Sequence, residues 1–153
     1  GDNADGTDAD GCVSLAGDSL NDRLGCRDSD GDGWSDPSTS YTAEDGADAF
    51  PTEPSQWNDS DGDGYGDELS GFQGDDCPTE EGYSNIGTFG CPDGDNDGVS
   101  QDGDAFPGDD TQWEDQDGDG YGDNPNGTMP DSCILIVGVS TLDRYGCPDE
   151  DGD

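Results

Sequence analysis

The sequence predicts a mostly irregular, elongated fold of tandem repeats, with little or no helix and with short β-hairpins closed by disulfides. Leu, Ile, Val and Phe supply only 17 of the 153 residues, whereas 41 residues are acidic and 3 are basic, for a formal charge of -38. So few apolar side chains cannot form an ordinary hydrophobic core. Asp and Gly, which favour turns over helices, dominate the chain. The fold must therefore be held together by other means.

Landmark residues recur at a fixed period, which is typical of a repeat protein. The pairs that lie 56 positions apart are Phe50 and Phe106, Trp57 and Trp113, Tyr65 and Tyr121, and Cys77 and Cys133. Upstream the period is 65, and the difference of nine is an insertion at 36–44. We predict the end of a repeat at 1–27, a full repeat with the insertion at 28–92, a second full repeat at 93–148, and the start of a further repeat at 149–153.

Six cysteines form three pairs of equal spacing, each with thirteen residues between its members. The favoured disulfides are Cys12–Cys26, Cys77–Cys91 and Cys133–Cys147. A zinc site would more often have two to four residues between paired cysteines. Each bridge closes a turn of about 15 residues and contributes roughly 3 kcal/mol in the chain-entropy model. We expect a hairpin in each segment, with short strands at 133–137, and an oxidising, extracellular setting.

Four Asp-rich loops have the residue spacing of a calcium-binding loop. They are loop A (28–36), loop B (59–67), loop C (93–101) and loop D (115–123). In loop A carboxylates occupy positions 1, 3, 5 and 9, and glycine occupies position 6. Alternate side chains converge on one point, while the glycine allows a sharp turn that directs the carbonyl of position 7 inward. Six to eight oxygen ligands favour Ca²⁺ over Mg²⁺. The alternative is a solvated Asp- and Gly-rich linker without bound ions.

The predicted ligands are side chains, except at position 7, where the carbonyl would bind. They are Asp28, Asp30, Asp32, Trp34 and Asp36 in loop A; Asp59, Asp61, Asp63, Tyr65 and Asp67 in loop B; Asp93, Asp95, Asp97 and Val99 in loop C; and Asp115, Asp117, Asp119, Tyr121 and Asp123 in loop D. Loop C has Gln101 at position 9 and is closed by Asp104 at position 12. Asp48, which aligns with Asp104, is expected to close loop A across the insertion. Asp75, Asp76, Asp109 and Asp131 receive no ligand position.

The strings DSDGDGYGD at 59–67 and DDCP at 75–78 resemble thrombospondin type 3 repeats, including the forms on secreted surface proteins of bacteria and archaea. The resemblance covers nearly the whole chain. It implies calcium-filled loops packed side by side, units stapled by disulfides, and a structural or adhesive role. The cysteine-bounded hairpins and the Phe-Pro and Gln-Trp landmarks depart from the short vertebrate form.

Paired aromatic residues and possible glycan acceptors are the remaining features of each repeat. Within each repeat Phe and Trp recur seven residues apart, and they predict either a small core against the calcium loops or an exposed surface that stacks on carbohydrate or a partner. Glycans are expected on Asn126, on Asn58, or on Ser38, Thr39, Ser40 and Thr42 of the insertion.

Composition excludes several functions. The chain has no histidine for catalysis or metal ligation, and its charge repels nucleic acid and anionic membranes. The longest apolar run, at 134–137, is too short to span a bilayer. Paired carboxylates could serve glycoside hydrolysis, but too little apolar material exists for a pocket that raises one pKa. We therefore do not expect an enzyme.

The sequence instead predicts a calcium-binding structural protein outside a microbial cell, acting as a spacer, a stalk or a filament. The alternative is a calcium-dependent adhesin or carbohydrate-binding module. Asp149, Asp151 and Asp153 have the spacing of loop positions 1, 3 and 5, and Gly1, Asp2 and Asp5 resemble the latter half of a loop. Two copies meeting head to tail would complete such a site, and a longer covalent array would do the same.

Overall fold

Regular secondary structure is nearly absent from the residues that the computed structural model describes, namely 9–14, 16–142 and 144–150. These residues contain one short 3₁₀ turn at Ala43–Asp45. Three isolated β-bridges join Ser38 to Tyr41, Gly66 to Gly74, and Ile86 to Val99. The prediction of an irregular fold almost without helix is confirmed.

Three disulfides cross-link the chain, as predicted. Cys12 is bonded to Cys26 and Cys133 to Cys147, with Cα atoms 5.0 and 5.1 Å apart. All six cysteines are bonded, so Cys77 pairs with Cys91. Glycine permits a close approach within each closed segment, because a Cβ added to Gly17, Gly82 or Gly138 would lie 2.0 Å from main-chain atoms of the second cysteine. The recurring glycine in these segments is thus a packing requirement.

The prediction of strands at 133–137 is wrong, and the described residues of the closed segments form turns without a hairpin ladder. The N–H groups of Leu135 and Ile136 both donate to the carbonyl of Cys133, at 2.6 and 2.7 Å. This bonding reverses the chain immediately after the cysteine. A strand also needs a hydrogen-bonded neighbour, and none lies beside 133–137 in the described part of the chain. The β-branched residues there indicated a strand for which the fold supplies no partner.

The chain divides into two compact units, Gly1–Glu81 and Gly82–Asp153, called unit 1 and unit 2 below. Loops A and B belong to unit 1, and loops C and D belong to unit 2. The repeat boundary after residue 92 concerns the periodicity of the sequence and stays a prediction. No helix among the described residues is long and apolar enough to cross a membrane.

The interior of each unit is mainly polar. The buried apolar residues in the described chain are Ala47 and the three cysteines Cys26, Cys91 and Cys147. In unit 1 the buried side chain of Gln56 occupies the interior, where an apolar side chain is usual. Its Nε2 donates to the carbonyls of Glu68 and Phe72, and its Oε1 accepts from the N–H of Glu68. Gln112 makes the corresponding bonds in unit 2, to the carbonyls of Asn124 and Thr128 and from the N–H of Asn124. These buried amides satisfy backbone groups that no helix or sheet satisfies.

Candidate metal centre

The four Asp loops share one hydrogen-bond skeleton. In loop A the carboxylate of Asp28 accepts from the N–H groups of Gly31 and Gly33, at 2.7 and 2.9 Å, and Asp32 Oδ1 accepts from the N–H of Trp34 at 2.7 Å. The same bonds recur in loops B, C and D. Each loop is also closed by a bond from the position-9 N–H to the carbonyl preceding position 1, at 2.7 to 2.9 Å.

Positive φ angles at positions 4 and 6 make each loop tight. Position 6 is always glycine, with φ between 97° and 100° in loops A, B and C and 91° in loop D. Position 4 is glycine in three loops and Asn96 in loop C, with φ 66°. Asparagine tolerates this left-handed conformation better than most residues. The loop shape is therefore determined by the local sequence.

This geometry brings the side chains of positions 1, 3 and 5 together. In each loop one carboxylate oxygen from each of the three aspartates lies within 4.8 Å of the others, and each triplet could hold a metal ion. The triplets are Asp28, Asp30 and Asp32; Asp59, Asp61 and Asp63; Asp93, Asp95 and Asp97; and Asp115, Asp117 and Asp119. Oxygens that bind one Ca²⁺ at 2.3–2.6 Å are at most about 5 Å apart, so the separation is compatible with this ion.

A buried carboxylate from outside the loop faces three of the triplets. Asp48, Asp75 and Asp131 are 0%, 2% and 7% exposed. The main-chain N–H of each donates to the position-8 carbonyl of its loop, at 2.8 to 2.9 Å. Asp48 repels Asp32 and Asp30, Asp75 repels Asp63 and Asp61, and Asp131 repels Asp117. These three acids are placed as closing residues of loops A, B and D.

Sequence reasoning missed Asp75 and Asp131, although a signal for them exists. Every closing aspartate is followed two residues later by Phe or Cys, whose N–H donates to the aspartate Oδ1 at 2.7 Å. The carbonyl of that Phe or Cys accepts two further N–H groups in a turn. The half-buried Asp104 of loop C has the same arrangement and repels Asp97. An alignment of the four loops on the Asp-x-Phe or Asp-x-Cys motif that follows each of them would have identified all four closing aspartates.

The aspartates of a loop and its closing acid, together called a cage below, include buried oxygens that accept no hydrogen bond. Within the described residues these are Oδ2 of Asp30, Asp32, Asp48, Asp61, Asp75, Asp95, Asp97, Asp117 and Asp131, and Oδ1 of Asp123. They belong to loop positions 3, 5 and 9 and to the closing residues. Buried polar atoms normally have a partner, and a carboxylate oxygen without a donor favours a cation. A bound cation would supply what the protein does not.

Burial also shifts the acid strength of these groups. Desolvation raises the pKa of Asp48 to about 7 against the hydrogen bond from Phe50, and repulsion from Asp32 and Asp30 adds to the rise. In the same way burial raises the pKa of Asp75 to about 6. Desolvation raises the pKa of Asp30, Asp32, Asp61, Asp97, Asp117 and Asp123 as well. The ionised cage is costly unless a cation neutralises it.

The position-9 aspartates bond to their own loops. Asp36 and Asp67 each accept from the N–H and hydroxyl of the serine at position 2, Ser29 and Ser60. Asp67 also accepts from the side chain of Asn58. Desolvation acts to raise the pKa of Asp67, but the hydrogen bonds from Ser60 and Asn58 outweigh it, so the pKa is lowered. Direct metal ligation by Asp36, Asp67 and Asp123 stays a prediction, whereas a role in holding the loop closed is visible in the bonds.

The structure describes only some of the remaining predicted positions. Asp151 and Asp153 lie outside the described residues, as do Gly1, Asp2 and Asp5; Asp149 is described and half-buried. Asp10 accepts from the N–H of Cys12 at 2.8 Å, as the closing aspartates accept from their Phe or Cys. No Asp triplet accompanies Asp10 in the described residues.

The sequence matches no protein-family model and no curated protein.

Proposed function

We propose that the chain is an extracellular calcium-binding structural protein that serves as a rigid spacer, stalk or filament on or outside a microbial cell. The observation that carries the proposal is the set of buried carboxylate oxygens without donors in all four loops. Their number and spacing suit a hard cation with many oxygen ligands. The proposed ligands include Asp75 and Asp131 besides the residues expected from the sequence.

Ion binding would supply the stability that an apolar core supplies elsewhere. Ca²⁺ at 100 times its dissociation constant adds about 2.7 kcal/mol for each site that binds only the folded chain. The three disulfides lower the entropy of the unfolded chain and suit an oxidising compartment. Extracellular fluids are also where free Ca²⁺ is abundant enough to fill weak sites. Together these features support a secreted calcium-loaded protein.

The charge of the chain supports a structural role. The high negative charge left after one ion has entered each loop would keep separate filaments soluble and apart from one another. We propose that copies meet head to tail, or that the loops form part of a longer array, with Ca²⁺ as the rigid element. Exposed acceptors for glycans are Asn58, Asn126, Ser38, Thr39, Ser40 and Thr42. At Asn58 a sugar would displace the bond to Asp67.

Calcium titration of the calcium-free protein tests the proposal. Four equivalents of Ca²⁺ are expected to bind, accompanied by a change in circular dichroism and a smaller radius of gyration in solution scattering. Asp61→Asn in loop B should remove one equivalent. Ser70→Asn, a substitution at an exposed position between loop B and Asp75, is the matched control and should retain all four. A chain whose spectrum and scattering ignore both Ca²⁺ and chelator would refute the proposal.

The structural role has its own measurement. Sedimentation and negative-stain electron microscopy with Ca²⁺ and with chelator should show fibres that soften or dissociate when the ion is removed. Fibres that keep their stiffness in chelator would contradict a calcium-dependent role, even if the four ions bind.

A carbohydrate-binding activity is the second candidate, and one observation favours it. Trp113 is 37% exposed, whereas its counterpart Trp57 is partly covered by a stacked indole.

A further inference from the structure

Trp57 and Trp113 occupy equivalent positions in the two units but have different surroundings. The Trp57 carbonyl accepts from the N–H of Ala49 at 3.0 Å, and the Trp113 carbonyl accepts from the N–H of Ala105 at 3.2 Å. Each follows a buried glutamine. The two indoles are therefore held by the same backbone frame, and what covers them can be compared directly.

In unit 1 the space beside the tryptophan is filled. Trp34, at position 7 of loop A, stacks on Trp57 with ring centroids 6.4 Å apart and planes inclined by 7°. Ser35, which follows Trp34 in the sequence, accepts at Oγ from Arg23 at 3.1 and 2.8 Å, and the Arg23 guanidinium lies 4.1 Å from the ring centre of Tyr41. Tyr41 belongs to the insertion. Trp34, Arg23 and Tyr41 thus form one group of large side chains around Ser35 in unit 1.

In unit 2 each of these three side chains is small or missing. Val99 stands at the position of Trp34, Thr88 stands at the position of Arg23, and the insertion that carries Tyr41 has no counterpart. A cleft of about 320 Å³ remains, lined by Trp113, Val99, Ile86, Thr88, Ser100 and Glu114 among others. This volume lies at the lower end of the range for small-molecule sites.

The cleft combines an aromatic wall with polar groups. Thr88 Oγ1 is buried and has no hydrogen-bond partner among the described residues. Ser100, 6% exposed, lies on the same lining, and Glu114 is an exposed acceptor at its rim. A ligand that places an apolar face on an indole while offering hydroxyl groups at its edge would satisfy both kinds of surface.

We propose that this cleft binds one ring of a neutral hexopyranose, stacked against Trp113 and hydrogen-bonded to Thr88 and Glu114. The missing Trp34 counterpart leaves space for a ring of similar thickness. The net charge of -38 and the nearby carboxylates disfavour acidic sugars and phosphates. Hydroxyl groups of a sugar both donate and accept, so one ligand can pair with a carboxylate and with a threonine hydroxyl.

Sugar binding at this cleft rests on the proposed calcium-binding function, because it needs unit 2 in its calcium-loaded state. A structural array with one such cleft in each copy would hold neutral polysaccharide along its length. Many weak contacts then act together by avidity. An individual cleft is open and small, so its dissociation constant for one oligosaccharide is expected on the order of 1 mM.

The test uses the whole calcium-loaded chain and three neutral probes: mannohexaose, cellohexaose and β-1,4-galactohexaose. Saturation-transfer NMR and tryptophan fluorescence should detect binding of at least one of them. Trp113→Ala should weaken it at least about tenfold. Thr88→Arg, which introduces the residue that unit 1 has, should weaken it by a similar factor because the cleft is filled. Trp57→Ala in unit 1 is the matched control and should change the affinity less than about twofold.

Calcium stoichiometry measured on the same samples separates the two proposals. Four bound ions with no response to any of the three sugars would overturn the inference and leave the calcium proposal intact. Sugar binding that survives both Trp113→Ala and Thr88→Arg would also overturn it, as would equal losses in Trp57→Ala. Concentration-dependent self-association that Trp113→Ala abolishes, without sugar binding, would show that the cleft contacts another copy instead.

Discussion

Loops A and C, the first loop of each unit, have the same skeleton but are closed differently. In both, two consecutive N–H groups from the preceding disulfide-closed segment donate to the position-6 carbonyl, at 2.8 to 2.9 Å. Asp48 closes loop A from 20 residues after Asp28 and is fully buried. Asp104 closes loop C from 11 residues after Asp93 and is half-buried.

The insertion accounts for this difference. Its last two residues form the 3₁₀ turn Ala43–Asp45 together with Asp45, and the N–H of Ala47 donates to the carbonyl of Thr42 at 3.0 Å. Asp48 follows immediately, and its N–H donates to the carbonyl of Ser35. The cage itself is therefore encoded within nine residues, whereas the burial of its closing acid depends on a segment outside the loop. The geometry of the loop and the burial of its closing acid therefore have separate sequence determinants.

Removing the charge of the closing acid should produce the largest effect. Asp48→Asn keeps the volume and the acceptor for the Phe50 N–H but deletes one buried charge. We expect the affinity of loop A for Ca²⁺ to fall at least about tenfold, or about 1.4 kcal/mol. Asp104→Asn should cost loop C less, because water can replace a half-exposed ligand. Isothermal titration of the two variants measures both losses.

The calcium-free proteins provide the control for this comparison. Without the ion, Asp48→Asn relieves repulsion among buried carboxylates, so the calcium-free variant should be more folded than the parent chain by near-ultraviolet circular dichroism. The substitution thus has opposite effects with and without Ca²⁺. Equal destabilisation in both conditions would show that Asp48 has a packing role only.

A smaller effect is expected from pH in the calcium-free protein. The pKa of Asp48 is about 7 and that of Asp75 about 6 in the folded chain, against 3.8 when unshifted. Between pH 4 and pH 7 the folded chain therefore binds more protons than the unfolded chain, and its stability falls as pH rises. Calcium-free protein should lose tertiary circular dichroism as pH increases from about 4 to about 8. Asp48→Asn should show a shallower decline.

Calcium should reverse the sign of this pH dependence. Protons and Ca²⁺ compete for the same carboxylates, so the affinity for Ca²⁺ should rise over the interval in which Asp75 and Asp48 ionise. The thermal midpoint in fixed Ca²⁺ should rise with pH while that of the calcium-free protein falls. Parallel trends in the two conditions would contradict the placement of these acids in the cages.

Much of the fold and of the loop geometry could be predicted from the sequence. Low apolar content predicts the near absence of helix from the described residues, and equal cysteine spacing predicts the disulfides. The Asp and Gly spacing of the loops predicts which oxygens converge, because every bond in the skeleton joins residues at most nine positions apart. The closing acids Asp75 and Asp131 were harder to predict, since the distance from loop position 1 to the closing acid ranges from 11 to 20 residues.

The other failures also concern contacts between distant residues. The run at 134–137 has strand-forming side chains, but strand formation depends on a neighbour that the local sequence does not specify. The contrast between Trp57 and Trp113 depends on residues in three separate segments, including the insertion. Periodicity alone aligns the two tryptophans and treats them as equivalent.

Replacement of Arg23 by threonine, the residue of unit 2, should have the smallest effect. Arg23 is 23% exposed in its side chain, bonds to Ser35 and to the Asp36 carbonyl, and lies against Tyr41. Loss of these contacts should lower the stability of the calcium-loaded protein by about 1 kcal/mol in thermal unfolding. Arg27→Thr is the matched control, because Arg27 is 76% exposed and its ion pair with Asp36 is screened by water. If Arg23 shields the Trp34–Trp57 pair, Arg23→Thr should also make these two residues more accessible to acrylamide quenching, whereas Arg27→Thr should not. Equal quenching in the two variants would show that Arg23 does not shield the pair.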